Sequence, residues 1–263
     1  TSAPQCSPAL LEGRVLFGHE DNTFYCLDTE GRLVWKLATP AVVNAFPPAV
    51  ANGRVYFGNY DKNFYAVDIA TGRVAWKFQA GDATYPGVVV DGRIYFGCRD
   101  NCVYCIDEQN GGLLWKFKTN GFVVHAYERE GVVYFGSYDN SCYAVDGKTG
   151  ELLWKFTAGG FVSNIGVFAE RVYASGWDCT LYCLDRRTGA VLWKFRSALS
   201  SPSEIAPPPT GYVQAEQIVV AQAEERKKGE KYKETFAAEG GGSSVYSARS
   251  TYTTKSKYAT GNT

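Results

Sequence analysis

Apolar and polar residues alternate in short runs between residues 13 and 195, and one arrangement of runs and turns returns five times. The copies read GRVLFGHEDNTFYCLD…LVWKL, GRVYFGNYDKNFYAVD…VAWKF, GRIYFGCRDNCVYCID…LLWKF, GVVYFGSYDNSCYAVD…LLWKF and ERVYASGWDCTLYCLD…VLWKF. Alternation with period two marks half-buried antiparallel strands. In the third copy the apolar runs are Gly87 to Val90, Arg93 to Gly97, Val103 to Ile106 and Leu113 to Phe117. Turn signals at Asp91-Gly92, Asp100-Asn101 and Asp107 to Gly112 separate them, so four short strands per copy are predicted. Trp35, Trp76, Trp115, Trp154 and Trp193 follow one another at 41, 39, 39 and 39 residues, a period that belongs to a stacked or radial array.

Register assigns most of the recurring residues to structure. Asp21, Asp61, Asp100, Asp139 and Asp178 fall in the second turn of each copy, where a short carboxylate accepts backbone N–H groups. Asp28, Asp68, Asp107, Asp146 and Asp185 begin the last turn, and Gly72, Gly111 or Gly112, Gly150 and Gly189 supply positive φ there. Each tryptophan closes its copy on the last strand, where a large ring is suited to cover the seam between neighbouring sheets.

The string P-x-V-x-x-G-x-V-Y-F-G-x-x-D-x-x-x-Y-A-V-D-x-x-T-G-x-x-x-W-K-F, clearest over residues 48–78, resembles the repeat of the pyrroloquinoline-quinone-type β-propellers. That superfamily includes quinoprotein dehydrogenases and a non-enzymatic scaffold of outer-membrane assembly with the same blades. The resemblance covers roughly residues 8–200. It implies an all-β fold: a β-propeller of about five four-stranded blades, near 8–39, 40–82, 83–122, 123–161 and 162–200. The propeller then takes residues 1–200, and an extended C-terminal tail takes 201–263. The quinone enzymes, as the resemblance implies, carry eight blades, an adjacent cysteine pair against the cofactor and acidic residues that hold calcium. Five recognisable blades and no Cys-Cys dipeptide point instead to a non-enzymatic branch, with no catalytic residue, cofactor or metal expected.

Composition narrows the partners. Lys plus Arg and Asp plus Glu are 27 each, which argues against bulk nucleic-acid binding, since that needs a long-range positive field. No apolar run reaches bilayer length, so direct membrane insertion is not expected. The chain starts at Thr1 and contains no Met, which suggests either trimming or a cleaved export or organelle-targeting peptide. The compartment expected is accordingly extracytoplasmic or an organelle such as a plastid. Eight cysteines permit disulfides without requiring them, and no Asn-x-Ser/Thr acceptor occurs.

Candidate chemistry is sparse. Cys98, Cys102 and Cys105 form the one cysteine cluster with metal-like spacing. Cys105 shares its register with Cys26, Ala66, Ala144 and Cys183, a core slot, while Cys98 and Cys102 flank a turn and stand close enough for a disulfide. His19 occupies a turn position and is expected to be exposed. His125 falls where Pro47, Pro86 and Asn164 fall, near the start of the innermost strand. Thr84, His125 and Asn164 are therefore the candidate ligand site of a central channel, with an ordinary polar rim as the alternative. No serine or cysteine stands beside a second histidine, so nucleophilic catalysis lacks a site.

After Phe195 the repeat begins again at Ser201-Pro202 and fails at Pro207-Pro208-Pro209, which cannot continue a central strand. Residues 226–234 are a mixed-charge run and Gly240-Gly241-Gly242 a joint. Residues 243–263 contain ten Ser or Thr, no acid, the bases Arg249, Lys255 and Lys257, and Tyr246, Tyr252 and Tyr258 at intervals of six. Such a segment buries too little to fold alone and needs a surface to hold it. The function expected is a propeller scaffold or linker in a large assembly of protein subunits, its tail docking on a neighbour. The rival is a small-ligand binder or vestigial quinoprotein that uses the central channel. Five blades also leave two sheet edges to be covered by the N-terminal residues, the tail or another subunit, with the tail favoured.

Overall fold

A computed structural model of the chain describes residues 7–11, 13–44 and 46–197. The tail residues Tyr246, Arg249, Tyr252, Lys255, Lys257 and Tyr258 lie outside the described residues. Five four-stranded antiparallel sheets follow one another in chain order. The first contains β1 (Ala9–Leu11), β2 (Arg14–His19), β3 (Thr23–Asp28) and β4 (Leu33–Ala38). The second contains β5 (Ala49–Ala51), β6 (Arg54–Gly58), β7 (Asn63–Asp68) and β8 (Val74–Gln79). The third contains β9 (Thr84–Val90), β10 (Arg93–Cys98), β11 (Cys102–Asp107) and β12 (Leu113–Lys118). The fourth contains β13 (Val123–Arg129), β14 (Val132–Ser137), β15 (Ser141–Asp146) and β16 (Leu152–Thr157). The fifth contains β17 (Val162–Phe168), β18 (Arg171–Gly176), β19 (Thr180–Asp185) and β20 (Val191–Arg196). The first strands β1, β5, β9, β13 and β17 touch one another in series, which sets them innermost, while the last strands are the most exposed. These are the blades of a β-propeller.

The turns form as the repeated aspartates require. In the second turn each carboxylate accepts the backbone N–H two residues on, of Thr23, Asn63, Cys102, Ser141 or Thr180, at 2.9–3.1 Å. Its other oxygen accepts a tyrosine hydroxyl four residues on, from Tyr25, Tyr65, Tyr104 and Tyr143 at 2.5–2.6 Å and from Tyr182 in the last sheet. Turn and strand are thereby tied to each other. In the last turn the left-handed glycine of the third sheet is Gly111, not Gly112.

Two faces of each sheet do different work. A leading face meets the next sheet in the chain and a trailing face meets the previous one. Leu16, Phe24 and Cys26 of the first sheet pack on Val55, Phe57, Tyr65 and Val67 of the second, and the same positions meet at the later seams. Phe24 stacks on Phe57 and Phe64 on Phe96, both at 4.3 Å between centroids. Later seams use smaller residues at this position, Val103 against Phe135 and Cys142 against Ala174.

A tryptophan locks each of the four seams. The indole N–H of Trp35, Trp76, Trp115 and Trp154 donates to the carbonyl of Ile69, Glu108, Gly147 and Arg186 in the following sheet, at 2.7–3.1 Å. The ring rests on that sheet's left-handed glycine: a Cβ at Gly72, Gly111, Gly150 or Gly189 would stand 2.7–2.8 Å from it. These glycines therefore serve the φ angle and the seam together. Gly58, Gly97 and Gly136 let the next inner strand approach, since a Cβ there would strike the backbone of Thr84, Val123 or Val162.

Two smaller expectations are revised. Cys98 and Cys102 are free, buried thiols, not a disulfide: Cys98 Sγ faces the Asp82 carbonyl and Cys102 Sγ the Asp100 carbonyl. His19 is half-buried, not exposed, because its Nδ1 accepts the Asp21 N–H at 3.1 Å and its ring stands edge-on to Tyr25.

Candidate functional site

The three residues singled out on the innermost strands do not share one environment. Thr84 is fully buried, and its hydroxyl donates to the Asn63 carbonyl at 2.7 Å and accepts the Asn59 N–H at 3.0 Å. In register it matches Val123 and Val162, because Cys98, Ser137 and Gly176 are the respective partners. His125 and Asn164 sit two residues further along their strands. His125 is half-buried with its ring at 4.4 Å, edge-on, to Phe46, and burial holds its pKa below the usual histidine range. Asn164 is exposed, and its carbonyl takes the Ser175 hydroxyl at 3.4 Å. Thr84 thus spends its polar atoms on the fold, and only His125 and Asn164 reach a surface.

A denser feature occupies the same end of the sheets. The turn joining the second and third strands carries Tyr60, Arg99, Tyr138 and Trp177 at one repeat position. Each donates its backbone N–H to the segment leading into the inner strand, at the carbonyls of Val42, Ala83, Phe122 and Phe161. In the fourth and fifth sheets this sets Tyr138 beside Phe122 and Trp177 beside Phe161. Tyr138 stacks flat on Phe161 of the next sheet at 5.0 Å and 2°, and Trp177 lies 5.8–5.9 Å from both. Phe122 joins from the other side at 5.9 Å.

In the second and third sheets a cation enters the row. The Arg99 guanidinium sits 4.8 Å over the Tyr60 ring and hydrogen-bonds both the Tyr85 hydroxyl, at 2.9 Å, and the Tyr60 hydroxyl, at 3.2 Å. Phe46 closes against Tyr85 at 6.1 Å. Trp177 is 64% exposed, and Phe46, Tyr60, Phe122 and Phe161 are 37–41% exposed, so one end of the blades presents a run of solvent-facing rings held at fixed spacing. Rigid, partly wet aromatics with an arginine among them are what protein-binding surfaces use as anchors. The repeat alignment displays this row, Tyr60, Arg99, Tyr138 and Trp177, yet reading the copies for shared residues hides it, because the position varies.

Other chemistry is thin. A cleft of about 510 Å³ is lined by Asn52, Arg54, Glu108 and Gln109, but its polar groups bond one another: Asn52 and Tyr56 donate to the Glu108 carboxylate and Arg54 to the Glu108 and Gln109 carbonyls. Burial pushes the thiols of Cys98 and Cys105 up to about 12 and about 11, which makes them poor nucleophiles. Among the described residues no three His, Cys, Asp or Glu side chains converge on a metal position, and no two cysteines of the chain are adjacent. The described residues do not fit a calcium-held quinone.

No curated protein matches the sequence. Among solved structures the chain is similar to BamB from Moraxella catarrhalis, with a TM-score of 0.62 and 16% identity over 69% of this chain and 60% of that one. It is also similar to the computationally designed Ika8 protein, with a TM-score of 0.66 and 18% identity over 72% of this chain and 60% of that one. Likeness at such identity is a likeness of fold, and this chain spans about three fifths of each structure's length. The family model of outer membrane protein assembly factor BamB matches residues 2–88 and 81–175, across the first four sheets and into the fifth. By that match over more than half its length, and by the sheet order and repeat register that accompany it, the chain belongs to the PQQ-type β-propeller family of outer membrane protein assembly factor BamB.

Proposed function

We propose that the chain is a non-enzymatic propeller scaffold that holds other protein subunits in an assembly and docks them on the aromatic end of its blades. The observation that carries this reading is the row of exposed rings around Tyr138, Phe161 and Trp177, a built surface with no metal-ligand cluster among the described residues. Membership in the BamB family supports it, since the family's name is that of an assembly factor. A second contact is proposed for residues 243–263, where Tyr246, Tyr252 and Tyr258 recur at intervals of six in a segment without acids, a sequence suited to docking on a neighbour by strand addition.

Affinity capture from the native source, with stoichiometry measured, tests both contacts. Trp177→Ala with Phe161→Ala is expected to weaken capture by about tenfold or more without lowering the melting temperature appreciably, as for anchor residues at an interface. Deleting residues 240–263 is expected to leave the blades folded and to reduce incorporation. Unchanged capture by both variants would sink the reading. The channel reading is tested by the effect of quinones, sugars and divalent metals on the melting temperature of the purified chain. A ligand-dependent rise lost in His125→Ala would favour it.

A further inference from the structure

Arg99 is a half-buried cation with no ion-pair partner among the described residues. Its guanidinium lies 4.8 Å over the Tyr60 ring and 5.9 Å from the centre of the Tyr85 ring. Its two side-chain bonds, Nε to the Tyr85 hydroxyl and Nη2 to the Tyr60 hydroxyl, go to neutral oxygens. Arg186 in the fifth sheet is held differently, between the carboxylates of Glu130 and Glu170. The acids around Arg99 are spent elsewhere. Asp82 is felt only through space, its Oδ1 accepting the Ala83 N–H. Asp61 and Asp100, in the turns that carry Tyr60 and Arg99, accept the Tyr65 and Tyr104 hydroxyls and backbone N–H groups.

The two hydroxyls still have a hydrogen to give. A tyrosine oxygen that accepts from a guanidinium keeps its own proton for donation. Tyr56 and Tyr95, likewise buried, donate theirs to the Glu108 carboxylate and the Gly147 carbonyl. Tyr85 is only 6% exposed, yet neither it nor Tyr60 donates to an acceptor among the described residues, and Arg99 Nη1 has no partner there. Burial raises the pKa of Tyr85, the Arg99 bond opposes this, and the Tyr60 and Tyr138 hydroxyls add to the rise, so Tyr138 stands close by. Donors that converge beside a positive charge, with no acceptor among them, complement a group that only accepts: a carboxylate.

We propose that Arg99 and the Tyr60 and Tyr85 hydroxyls bind the carboxylate of an Asp or Glu side chain in an exposed segment of a partner protein, whose neighbouring apolar side chain lies on Tyr138, Phe161 and Trp177. This assignment rests on the aromatic end being the docking surface and adds the chemistry that the surface selects. The two halves adjoin, since Tyr138 is near Tyr85 and stacks on Phe161. A free anion fits less well. Asp61, Asp100 and Asp139 lie in the same set of turns and repel it, so charge alone gives a weak contact and burial of an apolar neighbour supplies the rest. Arg99 is the one cation at its repeat position among Tyr60, Tyr138 and Trp177, so the pairing also fixes the register of the segment.

The probes are peptides with blocked ends that carry one Asp or Glu and one Leu or Phe at varied separation in a Gly-Ser background, each with its Asn or Gln counterpart. Fluorescence anisotropy against the full chain reads binding. Tight binding is expected to need the acid and the apolar residue together, to fall about tenfold or more in the amide counterparts, and to weaken as salt rises. Arg99→Gln is expected to abolish the difference between acid and amide peptides. Arg99→Lys restores part of it, because lysine keeps the charge and loses the planar fork. Tyr60→Phe keeps the ring under the guanidinium and is expected to weaken acid peptides several-fold at an unchanged melting temperature, which gives a second readout where an Arg99 variant unfolds. No binding by any acid peptide, equal binding of acid and amide peptides, or an acid preference that survives both Arg99→Gln and Tyr60→Phe overturns the proposal. Acetate that displaces the peptides at equal concentration also overturns it and assigns the site to free carboxylates. In each of these cases the docking surface stands if Trp177→Ala with Phe161→Ala still weakens capture from the native source. Capture that the ring variants leave unchanged removes the surface, and the carboxylate site with it.

Discussion

Trp115 combines two contributions in one side chain: its ring lies on Gly150, and its indole N–H donates to the Gly147 carbonyl at 3.0 Å. Replacing it by phenylalanine keeps much of the ring and deletes the donor. The Gly147 carbonyl retains the Tyr95 hydroxyl, also at 3.0 Å, so it is not stranded and the cost is about 1 kcal/mol, the net value of one buried hydrogen bond. Trp193→Phe deletes a donor that has no partner, and under monomeric conditions it is expected to be neutral or slightly stabilising. Urea unfolding of both variants below micromolar concentration measures the contrast. Equal costs would show that the indole bonds contribute nothing to the seams. The seam role of the tryptophans was legible from their phase in the repeat. Their acceptors were not, because each lies 32–34 residues away in the chain and is a backbone carbonyl, which no side-chain pattern marks.

Each sheet depends on carboxylates placed in its turns, and this makes the elements sensitive to acid. The Thr71 hydroxyl and backbone N–H hold the Asp68 carboxyl below the usual range, Thr188 does the same for Asp185, and the Thr149 backbone N–H is the main cause at Asp146. At Asp139 burial pushes the pKa up, but hydrogen bonds from Tyr143, the Asn120 backbone and other turn donors outweigh it and leave it lowered. A carboxyl whose folded pKa lies below its unfolded value of about 3.9 stabilises fully above that value and loses its contribution as pH falls through the folded pKa. The melting temperature is therefore expected to hold near neutral pH and to fall steeply below about pH 4. Asp68→Asn with Asp185→Asn is expected to lower it at pH 7 and to flatten the acid limb; an unchanged slope would remove these turns as the cause. Strands and turns were almost fully legible, since Asp-containing turns and period-two runs act over a few residues. Cys98 and Cys102 were harder: flanking one turn suggested a disulfide, while their thiols face the carbonyls of Asp82 and Asp100.

At the scale of the whole series, stability depends on how many faces of a sheet are covered. The third and fourth sheets are packed on both faces, while the first and fifth each have one face packed against a neighbour and large apolar residues exposed on the other. In a linear array, repeat stabilities and neighbour interfaces add, so a sheet with one interface opens more often than a sheet with two. This is also where sequence reading stopped short. Five similar copies imply five similar blades, and the difference between an inner and an end blade lies in what packs against them. The aromatic end was obscured for a related reason: Tyr60, Arg99, Tyr138 and Trp177 hold one repeat position with changing identity, and contacts such as Tyr138 on Phe161 and Arg99 over Tyr60 form across seams. Hydrogen exchange reads the distinction directly. Amides of β10, β11, β14 and β15 are expected to exchange at least about tenfold more slowly than those of β2, β3, β18 and β19 at micromolar concentration. Uniform rates would mean that the sheets open as one unit and that uncovered faces carry no penalty.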